Sequence, residues 1–296
     1  MCSSDLRTYN TPTDVRNPTQ GANNTVYAVA VNNIAGDPNF GKTYLGGDFT
    51  SVNSNPLNRI ARVDGAGKVD PTFNIGTGAD GYVAALAIQP DGRLLIGGAF
   101  NSVNGTNWNG IGRLNIDGSL DTTFNPRAGA SGPVNVVRVQ TDGKILIAGE
   151  FLAVDNASRP RIARLNADGS LDTSFNPGTG ADNSIRALEL QPNGKIVIAG
   201  RFQSFNGTPV PYVARLNTDG SLDTSFAPLS GPDGVVHAIG IQADGRIIFG
   251  GTFTSYDGLS RQAIARVTAN GAVDTTFYPG SGVVGDRKST RLNSSH

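Results

Sequence analysis

The sequence predicts an all-β chain, a β-propeller of five complete four-stranded antiparallel units with partial repeats at both ends. Three observations carry this reading: a fixed 51-residue period, two tight turns within every period, and no long helical periodicity. Arg62, Arg113, Arg164, Arg215 and Arg266 are 51 apart, as are Asp70, Asp121, Asp172, Asp223 and Asp274. Phe73, Phe124, Phe175, Phe226 and Phe277 keep the same step, and so do Gly47, Gly98, Gly149, Gly200 and Gly251. A long fixed period means one supersecondary unit copied in tandem.

The ends stand apart from this pattern. Residues 1–6 (MCSSDL) and 286–296 (DRKSTRLNSSH) fit no repeat and read like translated sequencing-adapter oligonucleotides, so they are set aside as scars. Residues 7–24 read as the tail of a preceding repeat, because RNPTQGANN at 16–24 aligns with FNPGTGADN at 175–183. Five units follow at 25–80, 81–131, 132–182, 183–233 and 234–282, and residues 283–285 begin a truncated one. The first unit carries about six extra residues between Val31 and Thr43, an insertion that belongs in a surface loop. The natural ring is therefore expected to hold more than five blades.

Within the second unit the strands are YVAALAIQ, RLLIGGAF, GIGRLN and SLDTTF. Pro90-Asp91-Gly92 joins the first two, and Ile116-Asp117-Gly118 the last two, each a hairpin loop with glycine at the left-handed position. That register sets Ile88 opposite Leu94, Leu86 opposite Ile96, Leu114 opposite Leu120, and Arg113 opposite Asp121. Apolar meets apolar and cation meets anion, as a true register requires. The second strands (LLIGGAF, ILIAGEF, IVIAGRF, IIFGGTF) are apolar nearly throughout, which suits burial on both faces. Four antiparallel strands repeated radially make a propeller blade, whereas a stacked solenoid would coil without paired tight hairpins.

The run QPNGKIVIAGRFQSFNG at 191–207, followed by RLNTDGSLDTSF at 215–226, resembles the bacterial delta-60 repeat. The resemblance covers about residues 16–282 and implies a β-propeller of unassigned function, carried by exported and often very large multidomain proteins. A fainter likeness to kelch repeats rests on the glycine pair and a period near 50, without the aromatic pattern of kelch blades.

Composition excludes several functions. Three of the 24 basic and two of the 24 acidic residues lie in the excluded ends, leaving 21 against 22. A near-neutral body argues against nucleic acid as partner. No apolar run approaches the roughly 18 residues of a membrane-spanning helix. The only cysteine is Cys2, so neither a disulfide framework nor a thiolate metal site is expected. Outside the ends there are one histidine (His237) and two glutamates (Glu150, Glu189), a poor provision for catalysis.

Residues present in every copy are read as structural, above all the Arg–Asp pairs. The N-x-D-G-S-L-D run (Asn166, Asp168, Asp172) has oxygen-bearing side chains at a spacing that invites comparison with a calcium loop. Arg164 stands where the first ligand would, so it is read as a turn, with no metal or other cofactor expected and calcium as the alternative. The GTGAD segments (76–80, 178–182) lack a following helix and are read as inter-blade links rather than phosphate cradles. The positions that differ between copies form the candidate recognition face. At the entrance of strand one these are Tyr27, Asn135, Arg186 and His237 (with Ala84), and at the exit of strand two Asp48, Glu150 and Arg201 (with Ala99 and Thr252). Trp108 and Tyr256 join them from the variable loops. The expected function is a non-catalytic adhesion or display scaffold, extracellular or at the cell surface, binding carbohydrate or protein. The alternative is a polysaccharide hydrolase or lyase using aspartate, Arg186 and His237 in a central funnel.

Overall fold

In the computed structural model the described residues are 21–226, 228–280 and 282. The presumed scars, most of the preceding-repeat tail and the 283–285 fragment lie outside them. The described chain is all β. Among these residues no helix is long and apolar enough to cross a membrane.

Each repeat forms a three-stranded antiparallel sheet. In the second repeat Val83–Ile88 pairs with Leu94–Gly98, which pairs with Ile111–Leu114. The expected register is observed: Ile88 faces Leu94, Leu86 faces Ile96, and Leu114 bridges Leu120. The fourth strand differs from expectation, being reduced in every repeat to a single bridge such as Leu114–Leu120 or Leu165–Leu171. The cause is local. Asp121 Oδ1 accepts bonds from Thr123 N (3.0 Å) and Thr123 Oγ1 (2.6 Å), and Phe124 N donates to Asp121 O at 3.1 Å. The aspartate bends the backbone out of the ladder immediately after its arginine partner, because a short polar side chain offers the chain an alternative to sheet pairing.

The long second-to-third loops are also more ordered than the sequence reading supposed. Each is a miniature hairpin, for example Ser102–Val103 against Thr106–Asn107. Its two central residues, Asn104 and Gly105, have φ of 51° and 73°. Two successive positive-φ residues define the turn whose twist matches flanking strands. The link from the previous repeat docks on this hairpin: Ala79 bridges Val103, and Gly78 N donates to Asn104 Oδ1 at 3.0 Å. Ala22 bridges Val52 in the same way. The GTGAD segments are thus links, as expected. The insertion in the first repeat closes on itself through Asn32 N to Lys42 O (2.9 Å) and Gly41 N to Asn32 O (2.7 Å).

The sheets pack face to face in sequence order. One cluster joins Tyr44, Ile60 and Phe73 of the first repeat to Val83, Leu94 and Ile96 of the second, and equivalent clusters join each later pair. Glycine in the second strand permits this approach: a Cβ on Gly97 would stand 2.8 Å from Val137 of the next repeat. The first strands of all five repeats line one shared cavity, which places them around a common axis.

The repeated charges tie the sheets together. Arg164 Nε donates to Asp172 Oδ2 at 2.7 Å, with its guanidinium carbon 5.0 Å from the centre of the Phe175 ring. Its Nη1 reaches across to the carbonyl of Thr218 in the next repeat at 2.7 Å. The pairs Arg62–Asp70, Arg113–Asp121, Arg215–Asp223 and Arg266–Asp274 share the first contact at 2.6–2.8 Å. A third member was not anticipated. Lys42, Arg93, Lys144, Lys195 and Arg246 each add a second cation to the same carboxylate, at 2.7–3.3 Å. Burial alone would raise the Asp172 carboxyl, but bonds from Lys144, Ser174 and Arg164 outweigh it and hold it well below the usual carboxylate range.

Candidate functional site

The variable strand-one positions share one backbone feature. Every first strand carries a bulge at its entrance, between Val26 and Ala28, Val83 and Ala85, Val134 and Val136, Ile185 and Ala187, and Val236 and Ala238. The residue skipped by the ladder is Tyr27, Ala84, Asn135, Arg186 or His237. A bulge frees one residue from pairing and re-aims its side chain. All five line the shared cavity, about 1260 Å³ in volume, which also extends over the outward face of the first repeat at Leu45, Val52 and Val63.

Neighbouring bulged residues meet. Arg186 Nη1 lies 3.4 Å from His237 Nδ1, and Asn135 Nδ2 donates to the Ile185 carbonyl at 3.3 Å. The Tyr27 ring packs at 5.4 Å from that of Tyr82, which precedes the next bulge. Three residues further along the same strands, Arg138 and Glu189, which also line the cavity, pair at 2.5 Å across adjacent repeats. The sequence reading did not select these two. Their 51-residue spacing with opposite charge was the available signal.

None of the strand-two exit positions lines the cavity itself, but Asp48 and Glu150 act electrostatically on Tyr82, and Glu150 and Arg201 on Arg186. Each continues the first hairpin, as when Glu150 N donates to Pro133 O and Arg201 N to Ser184 O. Asp48 is paired with Arg59, whose guanidinium also reaches the Asp48 carbonyl, while Arg161 bonds the Glu150 carbonyl. Burial lowers the Arg186 guanidinium pKa below its ordinary value; the like charge of Arg201 adds to this and Glu150 opposes it. Burial raises the Tyr82 phenol, helped by Glu150, Tyr27 and Asp48. The rim therefore carries two arginines (Arg186, Arg201) beside the His237 imidazole, carboxylates (Asp48, Glu150) and a tyrosine pair.

Two predicted residues do not belong to it. Trp108 is 6% exposed and packs edge-on against Phe124 at 6.0 Å, inside the cluster between the second and third repeats. Tyr256 is fully buried, stacked on Phe249 at 6.0 Å, with its hydroxyl 3.3 Å from the Gly271 carbonyl it donates to. The loop hairpins fold these rings back onto the sheets. Both are core residues rather than parts of a binding face.

The Asn166–Asp172 run behaves as a turn. Asp168 Oδ1 accepts from Ser170 N and Oγ at 2.9 and 2.6 Å, while Asp172 is engaged by Arg164 and Lys144, so the two carboxylates serve different partners.

A model of a β-propeller domain of unknown function, DUF5122, matches residues 41–73, 89–124, 140–175, 191–226 and 242–277, more than half of the chain. The chain belongs to the DUF5122 β-propeller family. Each match runs from just before the second strand through the repeated phenylalanine, so the family's shared portion is the scaffold. The bulged residues lie outside it. Among curated proteins no relative matches by sequence. Similar solved structures include a streptogramin B lyase, 18% identical with a TM-score of 0.54 over 84% of this chain and 67% of that one. The WD40 propeller domain of Doa1 is 15% identical with a TM-score of 0.53, over 78% of this chain and 62% of that one. A protein of unknown function from Bacteroides caccae is 13% identical with a TM-score of 0.48, over 84% of this chain and 79% of that one. The lyase and Doa1 likenesses bear on the fold alone.

Proposed function

We propose that this DUF5122 chain is a non-catalytic binding or display module of an exported bacterial surface protein, with its ligand at the mouth of the axial cavity. One observation carries the reading. The five bulged positions, which differ from repeat to repeat, converge on a single concavity, whereas the repeated positions are spent on packing. The half-exposed tyrosine pair beside hydrogen-bonding charges suits a ligand with apolar faces and many hydroxyls. That favours carbohydrate, with a protein loop as the other candidate.

A glycan array and a panel of surface proteins, probed with wild type and with Arg186→Ala/Glu150→Ala, test this. Binding that disappears in the double variant, at unchanged melting temperature, is the expected result. Binding that survives it places the ligand elsewhere. The contact between Arg186 and His237 favours a second reading, a polysaccharide hydrolase or lyase. Turnover of a polysaccharide that falls with His237→Ala would replace binding by catalysis.

A further inference from the structure

The charges around the axial cavity do not balance. Arg138 and Glu189 on its wall are paired with each other, and so are Asp48 and Arg59 at its rim. Arg186 and Arg201 stand apart from these pairs. Among the described residues neither has a carboxylate within ion-pair distance, and Arg201 acts on Arg186 as a like charge. Glu150 offsets Arg186 only from a distance, and Arg161, bonded to the Glu150 carbonyl, adds a further cation there. Among the described residues the Arg186 side chain makes one bond, to His237 Nδ1 at 3.4 Å. A guanidinium has donors and no acceptor, so Nδ1 accepts, the ring proton sits on Nε2 and the imidazole is neutral. His237 thus orients Arg186 without adding to the charge.

The tyrosine pair belongs to the same stretch of rim. Glu150, in the third repeat, acts electrostatically on Tyr82 of the second and on Arg186 of the fourth, so it lies between the rings and the guanidiniums. Tyr27 is 39% exposed, with its ring centre 5.4 Å from that of Tyr82. Main-chain recognition is poorly provided for here. The first strand is an edge of every sheet and lines the cavity, and an edge can recruit an extended peptide through its row of N–H and C=O groups. A bulge at the entrance interrupts that row in all five repeats. Recognition at this rim therefore falls to side chains.

We propose that the ligand is an acidic glycan, one sugar unit lying against Tyr27 and Tyr82 while an anionic group on the same or a neighbouring unit takes the N–H groups of Arg186 and Arg201. This rests on the carbohydrate reading of the site and narrows it. The guanidinium fork matches a carboxylate or sulfate with two parallel N–H groups, which a neutral hydroxyl cannot use as well. Uncompensated cations at a concave rim also raise the local concentration of anions. The tyrosine rings offer an apolar face with a polar tip, which suits the alternating faces and edges of a sugar.

A glycan array with neutral, uronate-bearing, sialylated and sulfated members tests this, using the full chain as wild type, Arg186→Gln, Arg201→Gln and Glu150→Gln. Wild type should bind acidic members about tenfold or more tightly than their neutral counterparts. Binding of carboxylated or of sulfated members supports the proposal, and their ranking tells which anion the arginines take. Each arginine variant should lose about tenfold or more in affinity at an unchanged melting temperature, since each removes a charged hydrogen bond. Glu150→Gln keeps the hydrogen-bonding shape and removes the opposing charge, so it should bind the same glycans more tightly, a gain that damage to the fold cannot produce. Preference for neutral glycans overturns the proposal and leaves the carbohydrate reading standing, whereas binding to no glycan overturns both. Acidic glycans that bind equally well to both arginine variants, or more weakly to Glu150→Gln, also overturn it. So does equal binding of poly-glutamate, which would make the ligand an acidic peptide.

Discussion

Replacing Asp172 by alanine isolates what the repeated charges do. The carboxylate holds Arg164 Nε at 2.7 Å and Lys144 Nζ at 2.8 Å, and caps Ser174 through its N (3.0 Å) and Oγ (2.7 Å). The side chains of Arg164 and Asp172 are 10% and 8% exposed, but that of Lys144 is 32% exposed. Breaking a buried pair by removing one partner costs about 3–5 kcal/mol, because the remaining charge stays desolvated. Arg164 keeps its bond to the Thr218 carbonyl and its place over Phe175, which moves the cost toward the low end. Lys144 turns to solvent and contributes at most about 1 kcal/mol, as exposed ion pairs do. Losing the Ser174 cap adds about 1 kcal/mol. The expected loss is about 4–5 kcal/mol in urea unfolding at neutral pH. Glu150→Ala, at the exposed mouth, should cost about 0.5 kcal/mol or less. In an Arg164→Met background the orphaned charge is gone, so Asp172→Ala should there cost only about 1–2 kcal/mol, from the cap and the exposed Lys144 pair. A loss in wild type no larger than in that background would refute the argument, since the cost would then owe nothing to the buried arginine.

The same change in the fifth repeat, Asp274→Ala, should be clearly milder in the same assay, because Arg266 is more exposed and reaches no neighbouring repeat. Acid should unfold the chain through these carboxylates. Bonds from Thr276, then from Arg266, hold Asp274 at about 2 against burial, and Asp70, Asp172 and Asp223 are lowered too. Unfolded aspartates ionise near 3.9, so below about pH 4 the unfolded chain takes up more protons. Thermal melts should therefore show stability flat above about pH 5 and falling steadily below about pH 4, and a pH-independent acid limb would contradict the ion-pair assignment. Trp108→Ala should cost about 3–5 kcal/mol in urea unfolding while leaving ligand binding at the mouth intact, as expected of a core ring and not of a contact residue.

Much of this was legible in the sequence, because repetition reports interactions that every copy needs. The hairpin registers followed from turn chemistry and from apolar residues facing one another, as with Leu86 and Ile96. The fourth strand was not legible at its true length, since its end is set by a competition between ladder bonds and the Asp121 side chain. Tyr256 could have been placed correctly. Its counterparts Val52, Val103, Val154 and Phe205 are all apolar, the mark of a buried position. Trp108 could not, because its counterparts Leu57, Arg159, Val210 and Arg261 mix apolar and charged residues, and only packing against Phe124 decides the matter. The second cation on each aspartate was visible at a 51-residue step once lysine and arginine are treated as equivalent, as at Lys42 and Arg93.

The bulge explains why a site can vary on a scaffold that does not. On either side of Arg186, Ile185 and Ala187 are paired with Gly200 and Ala199, and both pack into clusters between repeats. Their size is constrained by those interfaces, where one extra methylene is felt. Arg186 itself has no ladder partner, so its side chain is displaced toward the cavity, where it meets His237 of the next repeat rather than the packed faces between sheets. Tyrosine, alanine, asparagine, arginine and histidine can occupy equivalent points without disturbing the register of the same hairpin. Five such points around one axis give a composite surface whose chemistry is set residue by residue. The cost of changing any of them falls on the ligand and not on the fold, which is why Arg186→Ala should leave the melting temperature where Asp172→Ala lowers it.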